Sequence, residues 1–437
     1  MSKNKEYALK LLKEKLNEER KITYREISRL TNYNQKYLMD LKNKVEEKDI
    51  NSILVHGLTG KISNNSPSPH EKEYIKNFKN KYPIITISQF MDIYHEDIIF
   101  NKKMQNDIEK YDLKQRSKSF FRNLYVENNW KSPIKHKRFG KRSEIHVLRD
   151  PSPNRGILII IDGTPHDWFN NGLKQSLHLA IDDATGEILA GWFMETECLI
   201  GYAHILKIIV TKHGIPENFY FDRYSVFYNE KNPDMLTQFG RICEELNINM
   251  IYANTPEAKG KVEKMNFTLQ NRLLNDIKRF NIKSVEQLNI WFNDFYIGYI
   301  NRKFSYNPKY EDSCFVPIDL KHTDLSLIIC KKYERQILDG NVISYKNNYY
   351  KIVDKDDQNY PMFKGTTVNI LVDIFDNSLI RIEYRKKIFH TKLVEGHRMS
   401  NPSRKTKQDI INNQKEMQVL LNNISKKRES RLNTNLD

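Results

Sequence analysis

GILIIIDGTPHDW, residues Gly156 to Trp168, contains five consecutive apolar residues, Ile157 to Ile161, ending on an acid. Such a run is too short for an amphipathic helix and rich in β-branched side chains, so it reads as a buried strand. Asp162 follows directly, and Gly163 and Pro165 are expected to end the strand beside it. A carboxylate in that place costs free energy unless it is paired, hydrogen-bonded or bound to a metal. A cation is therefore expected at Asp162.

Two further acids repeat the pattern. Glu217 to Asp222, ENFYFD, reads as a short aromatic strand ending on an aspartate, with Arg223 where the chain leaves the sheet. NINMIYA, Asn247 to Ala253, is a third apolar run, and the turn NTPEAKGK then opens a long helical pattern that carries Glu263 early. Between the first two runs, KQSLHLAIDD (174–183) and EILAGWFME (187–195) read as a hairpin. Helices are expected at about 199–213, capped by Gly214, and at about 235–246. Three antiparallel strands, a helix, a strand, a helix, a strand and a long helix is the element order of an RNase H-like α/β fold. In that order the first and fourth strands are neighbours, so Asp162 and Asp222 converge at one edge and Glu263 reaches the same point. Three carboxylates brought together repel unless hard divalent cations neutralise them. Such a cluster holds two Mg²⁺ per site, about 3.5 to 4 Å apart, for an in-line phosphoryl displacement. Mn²⁺ takes the same oxygen ligands.

The 437 residues are enough for two to four domains. Seventy-one Lys and Arg against 55 Asp and Glu leave a net charge of +16, which favours a polyanionic partner, most simply nucleic acid. The four cysteines are scattered without a CxxC, which fits a reducing compartment and neither a disulfide framework nor a zinc site. No apolar run has the length of a membrane span and the first residues lack a signal-peptide pattern, so a soluble, cytoplasmic and nucleoid-associated protein without a membrane partner is expected.

Residues 1–55 carry short helical patterns in which Ile27, Leu30, Tyr37, Leu38 and Leu41 form a common core broken at TNYN. That matches a helix-turn-helix whose second helix, about 34–44, presents Gln35, Lys36, Asp40 and Lys42 to a DNA groove. An ordinary helical hairpin has the same pattern. Residues 56–70 read as a turn-rich linker, and 71–130 as a second helical DNA-binding domain with Arg116 to Arg122 as its contact segment; a purely structural helical domain is the other reading. The basic linker 131–155 holds seven Lys or Arg against Glu144 up to Arg149, and its Lys135, Lys137, Arg138, Lys141 and Arg142 are suited to tracking phosphates.

IDGTPHDWF, LAIDDATGEI, YFDRYSVF and NTPEAKGKVEKMNFTLQNRL resemble the retroviral-integrase-type catalytic core of DDE transposases, most closely the ISNCY group of bacterial insertion sequences. The resemblance is strong over about 156–300, within a catalytic core placed at 156–305, and assigns the catalytic, metal-binding acids to Asp162, Asp222 and Glu263. The 40 residues between Asp222 and Glu263 are somewhat more than typify retroviral integrases, and the extra length is placed at YNEKNPD, 228–234. Around the acids, His166, Trp168, Asp183 and Arg223 are expected to support the site, although a packed Trp and an ordinary DDATG turn account for the same residues. Lys259, Lys261, Lys264, Asn266, Gln270 and Arg272 lie along the start of the last helix, where phosphate is favoured, and are expected to track a DNA end; a solvated basic face is the alternative.

Residues 330–395 alternate apolar and polar side chains between Asn, Asp and Gly turns, the pattern of a small β-barrel of five or six strands. The tail, 400–437, is a basic helical segment with an apolar stripe from Ile410 to Ile424. The whole is thus expected to be multidomain: N-terminal all-α helix-turn-helix units, a central RNase H-like core and a C-terminal β-barrel. The resemblance implies a transposase acting on double-stranded DNA, both terminal inverted repeats and target, as a homo-oligomer of at least two chains. A non-catalytic DNA-binding regulator and a structure-selective nuclease of the same fold are the alternatives.

Overall fold

The computed structural model describes residues 3–47, 53–54, 66–99, 111–134, 150–232, 235–252 and 260–394. The chain divides into two compact units, Met1–Pro83 with Met91–Phe121, and Ile84–Phe90 with Arg122–Asp437.

In the first unit, α1 (Lys3–Leu16), α2 (Tyr24–Thr31) and α3 (Gln35–Glu47) pack around Leu9, Leu12, Ile27, Leu38 and Leu41. Thr23 and Glu26 start α2 with reciprocal bonds: Thr23 N–H donates to Glu26 Oε2 at 2.7 Å and Glu26 N–H to Thr23 Oγ1 at 3.3 Å. Asn32, at φ 61°, ends the helix in the left-handed region and makes the break at TNYN. Leu30 differs from expectation. Ile27 and Thr31, four apart, are the buried residues of α2, which leaves Leu30 on the outer side and 54% exposed.

α4 (Pro69–Lys81) follows its N-cap Ser68 and is succeeded by α5 (Ile87–Ile99) and α6 (Lys118–Glu127). Glu71, on the first turn of α4, is fully buried. Arg116 Nε donates to its carboxylate at 2.8 Å, the Arg116 NH2 group makes a second, closer bond, and Tyr94 Oη donates at 2.9 Å. Arg116 is therefore an interior partner of Glu71, not the DNA contact expected from its basic neighbourhood. A guanidinium spent on a buried carboxylate is unavailable to phosphate. Arg122 is exposed.

The second unit is built on a five-stranded sheet of β1 (Leu158–His166), β2 (Gln175–Asp182), β3 (Ile188–Met194), β4 (Asn218–Phe221) and β5 (Asn249–Tyr252), in the order β3-β2-β1-β4-β5. β1 is central, antiparallel to β2 and parallel to β4, and β5 is parallel to β4. Its unbroken apolar run is explained by cover on both faces. Ile159, Ile161, Phe219 and Phe221 pack under α7 (Leu199–Lys212) and α8 (Gln238–Glu245), whereas Ile160, Leu177 and Leu179 pack under α9 (Gly260–Arg279) and α10 (Val285–Trp291). β1 does not end at Asp162 but continues to His166, with Asp162 opposite Leu179 and Pro165 opposite Ser176. Pairing with β4 stops at Ile160, so one side of β1 is open beyond that point and a proline without an N–H is tolerated there.

The C-terminal domain is a six-stranded antiparallel sheet: β6 (Cys330–Gln336), β7 (Val342–Tyr345), β8 (Asn348–Val353), β9 (Thr367–Asp373), β10 (Ile380–Tyr384) and β11 (Lys387–Leu393), ordered β6-β9-β10-β11-β8-β7. The expected closed barrel is not formed among the described residues, and the sheet is a half-barrel. Leu338, in the chain leaving β6, bridges to the edge of β7, donating its N–H to Val342 O at 2.8 Å. The Gln238 side chain joins this sheet to α8, donating to Lys332 O at 3.0 Å and accepting from Lys332 N–H at 2.9 Å. The tail stripe at 410–424 lies outside the described residues. Among the described residues no helix is long and apolar enough to cross a membrane.

Candidate active site

Ile160 is paired with Tyr220, and Asp162 and Asp222 each lie two residues further along their strands. Parallel register therefore carries the two aspartates the same distance past the last paired residues. Strand alternation points Asp162 to the face of Ile160, beneath α9, and Asp222 follows β4 directly. A direct bond agrees with this for Asp162, whose Oδ2 accepts from Asn266 Nδ2 of α9 at 2.8 Å. Glu263 lies on the first turn of the same helix, three residues before Asn266, and is exposed, as is Asp222. Asp162 thus lies within β1, Asp222 just past the end of the neighbouring β4, and Glu263 on the covering helix. Among the described residues no group of three or more His, Cys, Asp or Glu is drawn tight enough to hold a metal. The donor set nevertheless suits a hard divalent cation, being all oxygen, and Asn266 Oδ1 is buried beside Asp162 with no hydrogen-bond partner.

The basic residues expected on this helix divide. Lys261 Nζ is held at 2.8 Å from Asp183 Oδ1 and 2.5 Å from Asp183 O. Asp183 is fully buried and also accepts from Ser152 N–H at 2.7 Å and Ser152 Oγ at 2.9 Å. Burial works to raise this carboxyl, but the bonds from Lys261 and Ser152 outweigh it and hold it below the usual carboxylate value. Lys261 is thus a tie from α9 to the β2–β3 turn, not a free phosphate contact. Asn266, 6% exposed, serves Asp162 instead of a DNA surface. Arg272 is equally removed, 7% exposed and stacked 5.1 Å over Phe304, because it faces the core side of α9. Lys264 is exposed and Gln270 half-buried.

Trp168 is a core residue. It is fully buried, its Nε1 donates to Gln175 O at 2.9 Å, and its ring meets Phe193 at 5.5 Å and His166 at 4.9 Å. Burial lowers the His166 pKa. Asp182 accepts from Gly156 N–H at 2.8 Å and from Thr185 N–H at 2.9 Å, the turn role expected of DDATG. Arg223 lies 5.4 Å over the Tyr228 ring, and with Tyr224, Ser225, Lys231 and Thr237 lines a groove of about 620 Å³ next to Asp222. In the first unit Gln35 and Lys36 are exposed on α3, while Lys42 pairs with Glu46 at 3.2 Å. Lys135, Lys137, Arg138, Lys141, Arg142 and Lys259 lie outside the described residues.

Three residues not singled out from the sequence stand behind Asp162. Tyr202, 1% exposed, donates its hydroxyl to Glu197 Oε1. Burial first, then Glu197, with Asp162 and Asp222 adding to it, push this phenol far up, so it remains a donor. His178 is wholly buried, bonds to Trp192 O through Nδ1 at 3.0 Å, and accepts the Cys198 N–H through Nε2 at 3.1 Å. Those bonds require the neutral ring, and burial lowers its pKa to about 4.

A ring held neutral in the fold but titrating near its ordinary 6.5 when unfolded makes the unfolded chain the better proton acceptor between the two values. Stability is therefore complete above about 6.5 and lost as pH falls toward about 4. Burial lowers His204 to about 4 as well, so His178→Asn is expected to flatten the pH dependence of the urea midpoint in part. An unchanged slope in that variant would count against the assignment.

No family model matches the chain. It is 33% identical over 262 residues to the transposase for insertion sequence IS1202 of Streptococcus pneumoniae, covering 59% of this chain and 55% of that protein. It is 37% identical over 202 residues to the Sinorhizobium fredii protein described as transposase y4bF, covering 45% of this chain and 44% of that protein. The chain spans about half the length of the curated relatives it matches. Among solved structures it is similar to the catalytic core domain of BIV integrase, at 15% identity over 32% of this chain and 85% of that one with a TM-score of 0.24. It is also similar to the simian T-cell lymphotropic virus intasome in complex with PP2A regulatory subunit B56 gamma, at 12% identity over 65% of this chain and 93% of that one with a TM-score of 0.28. Over about half of its length the chain is thus similar to insertion-sequence transposases.

Proposed function

We propose that the protein is a DNA transposase that nicks the terminal inverted repeats of an insertion sequence and joins the resulting 3′-hydroxyl ends to target DNA. The observation that carries this reading is the parallel register of β1 and β4, which lead to Asp162 and Asp222, with Asp162 bonded to Asn266 one turn along α9 from Glu263. Asp162, Asp222 and Glu263 would hold Mg²⁺ or Mn²⁺, two ions per site, whose chemistry is to activate the attacking oxygen and stabilise the departing one. Asn266 orients the Asp162 carboxylate. Lys261, tied to Asp183, fixes the first turn of α9 and with it Glu263.

Water attacks the terminal phosphodiester in the first step, leaving a 3′-hydroxyl and a 5′-phosphate. That hydroxyl then attacks a target phosphodiester, so one bond is exchanged for another and no covalent protein–DNA intermediate is needed. Gln35, Lys36 and Lys42 on α3 are suited to a groove of the terminal repeat. Arg122, Lys264, Gln270 and the Arg223 groove provide further DNA contacts, as do Lys135, Lys137, Arg138, Lys141, Arg142 and Lys259. Two ends must be handled together, so the working form is an oligomer of at least two chains.

The test is strand transfer in Mg²⁺ between a labelled duplex bearing the element's own terminus and a plasmid. Labelled plasmid is the expected product. Binding without nicking or joining would replace this reading with the regulator, and nicking without joining with the nuclease.

A further inference from the structure

Resting on the transposase reading, we propose that Glu197 is a positioning residue that braces β1 next to Asp162 and the segment that leaves β4 through Asp222, and whose charge strengthens their hold on divalent cations. Strand alternation puts Gly163 on the face opposite Asp162, across from His178 on β2. The Glu197 carboxylate fills the place a side chain at Gly163 would take. A Cβ there would lie 2.6 Å from Glu197 Oε2 and 2.7 Å from Oε1.

The same residue is held from two further elements. Its carboxylate accepts the Tyr202 hydroxyl from α7. Its carbonyl accepts the hydroxyl of Tyr224, two residues beyond Asp222, at 3.4 Å. The next residue, Cys198, donates its N–H to His178, whose ring lies where a Cβ on Gly201 would fall. Glu197 therefore links the strand of Asp162 to the segment leaving Asp222. A glutamine would keep the Tyr202 bond and spare the chain a further negative charge next to two aspartates. The glutamate retains that charge where a bound cation compensates it.

The experiment uses the full chain and Glu197→Gln. Mn²⁺ affinity is measured without DNA by electron paramagnetic resonance, and the Mg²⁺ concentration for half-maximal nicking is measured with DNA. Both are expected to shift by about tenfold toward weaker binding, as for other residues supporting metal ligands. Thermal midpoint and affinity for the terminal duplex are expected to stay at wild-type values. Gly163→Ala, which drives a present carboxylate off its seat, is expected to shift the metal dependence in the same direction. Wild-type Mn²⁺ affinity and Mg²⁺ dependence in Glu197→Gln overturn the proposal, whether or not its melting point falls. Asp162→Asn separates the two levels of inference. If it loses Mn²⁺ binding and Glu197→Gln does not, only the role of Glu197 falls; if it binds Mn²⁺ like the wild type, the underlying metal site fails and takes this proposal with it.

Discussion

Glu263→Gln is expected to reduce joining of the terminal duplex to plasmid by at least about 10³-fold, ~4 kcal/mol of transition-state stabilisation, while leaving terminal binding intact. Glu263 is exposed on the first turn of α9, so an isosteric amide leaves no buried group unsatisfied. Loss of its charge near the helix N-terminus costs only about 0.3 to 1 kcal/mol. Folding and binding therefore survive, and the missing charge is felt where metal-bound oxygens must be stabilised. Asn266→Ala removes the bond to Asp162 without removing an acid, and a smaller loss of about 10 to 100-fold is expected. Gel analysis of labelled product against duplex retardation separates the two effects. Wild-type joining by Glu263→Gln would remove this residue from the catalytic set.

Element order was legible because β1 is central. A strand covered on both faces must be apolar throughout, so Ile157 to Ile161 read as a buried strand, which the structure places at the centre of the sheet. The end of that strand was not legible. Gly163 and Pro165 ordinarily punctuate, but the open side of β1 beyond Ile160 admits a proline, and Gly163 is there to seat Glu197. The basic residues misled for a different reason. Local sequence does not reveal that Lys261 meets Asp183, or Arg116 meets Glu71, because each partner is distant in the chain. For Asn266 a signal existed: three residues after Glu263 is one helical turn, the same side that faces Asp162. Glu197 had none, since an acid between a strand and a helix reads as an ordinary cap. Alternation marked the C-terminal strands but carries no information on closure of the sheet.

Removing Glu71 is expected to be the most damaging single change in the first unit. Glu71 is fully buried and Arg116 is 7% exposed, so Glu71→Ala would remove from a guanidinium in the interior the carboxylate that binds it twice. Breaking a buried pair in this way costs about 3 to 5 kcal/mol, which is comparable to much of the stability of a small domain. The hydrogen bonds from Arg116 and from Tyr94 Oη are lost together. Accepting those bonds, Glu71 raises the Arg116 pKa, which keeps the guanidinium charged and makes its stranding costly. Replacing both partners, as Glu71→Leu with Arg116→Met, removes the charge along with its partner and is expected to recover a large part of the loss. Urea unfolding of the full chain, followed by a probe on the first unit, measures each variant. An Arg116→Met variant that keeps wild-type stability but binds the terminal duplex more weakly would return Arg116 to the DNA surface; a destabilised Arg116→Met, rescued by Glu71→Leu, establishes it as part of the core.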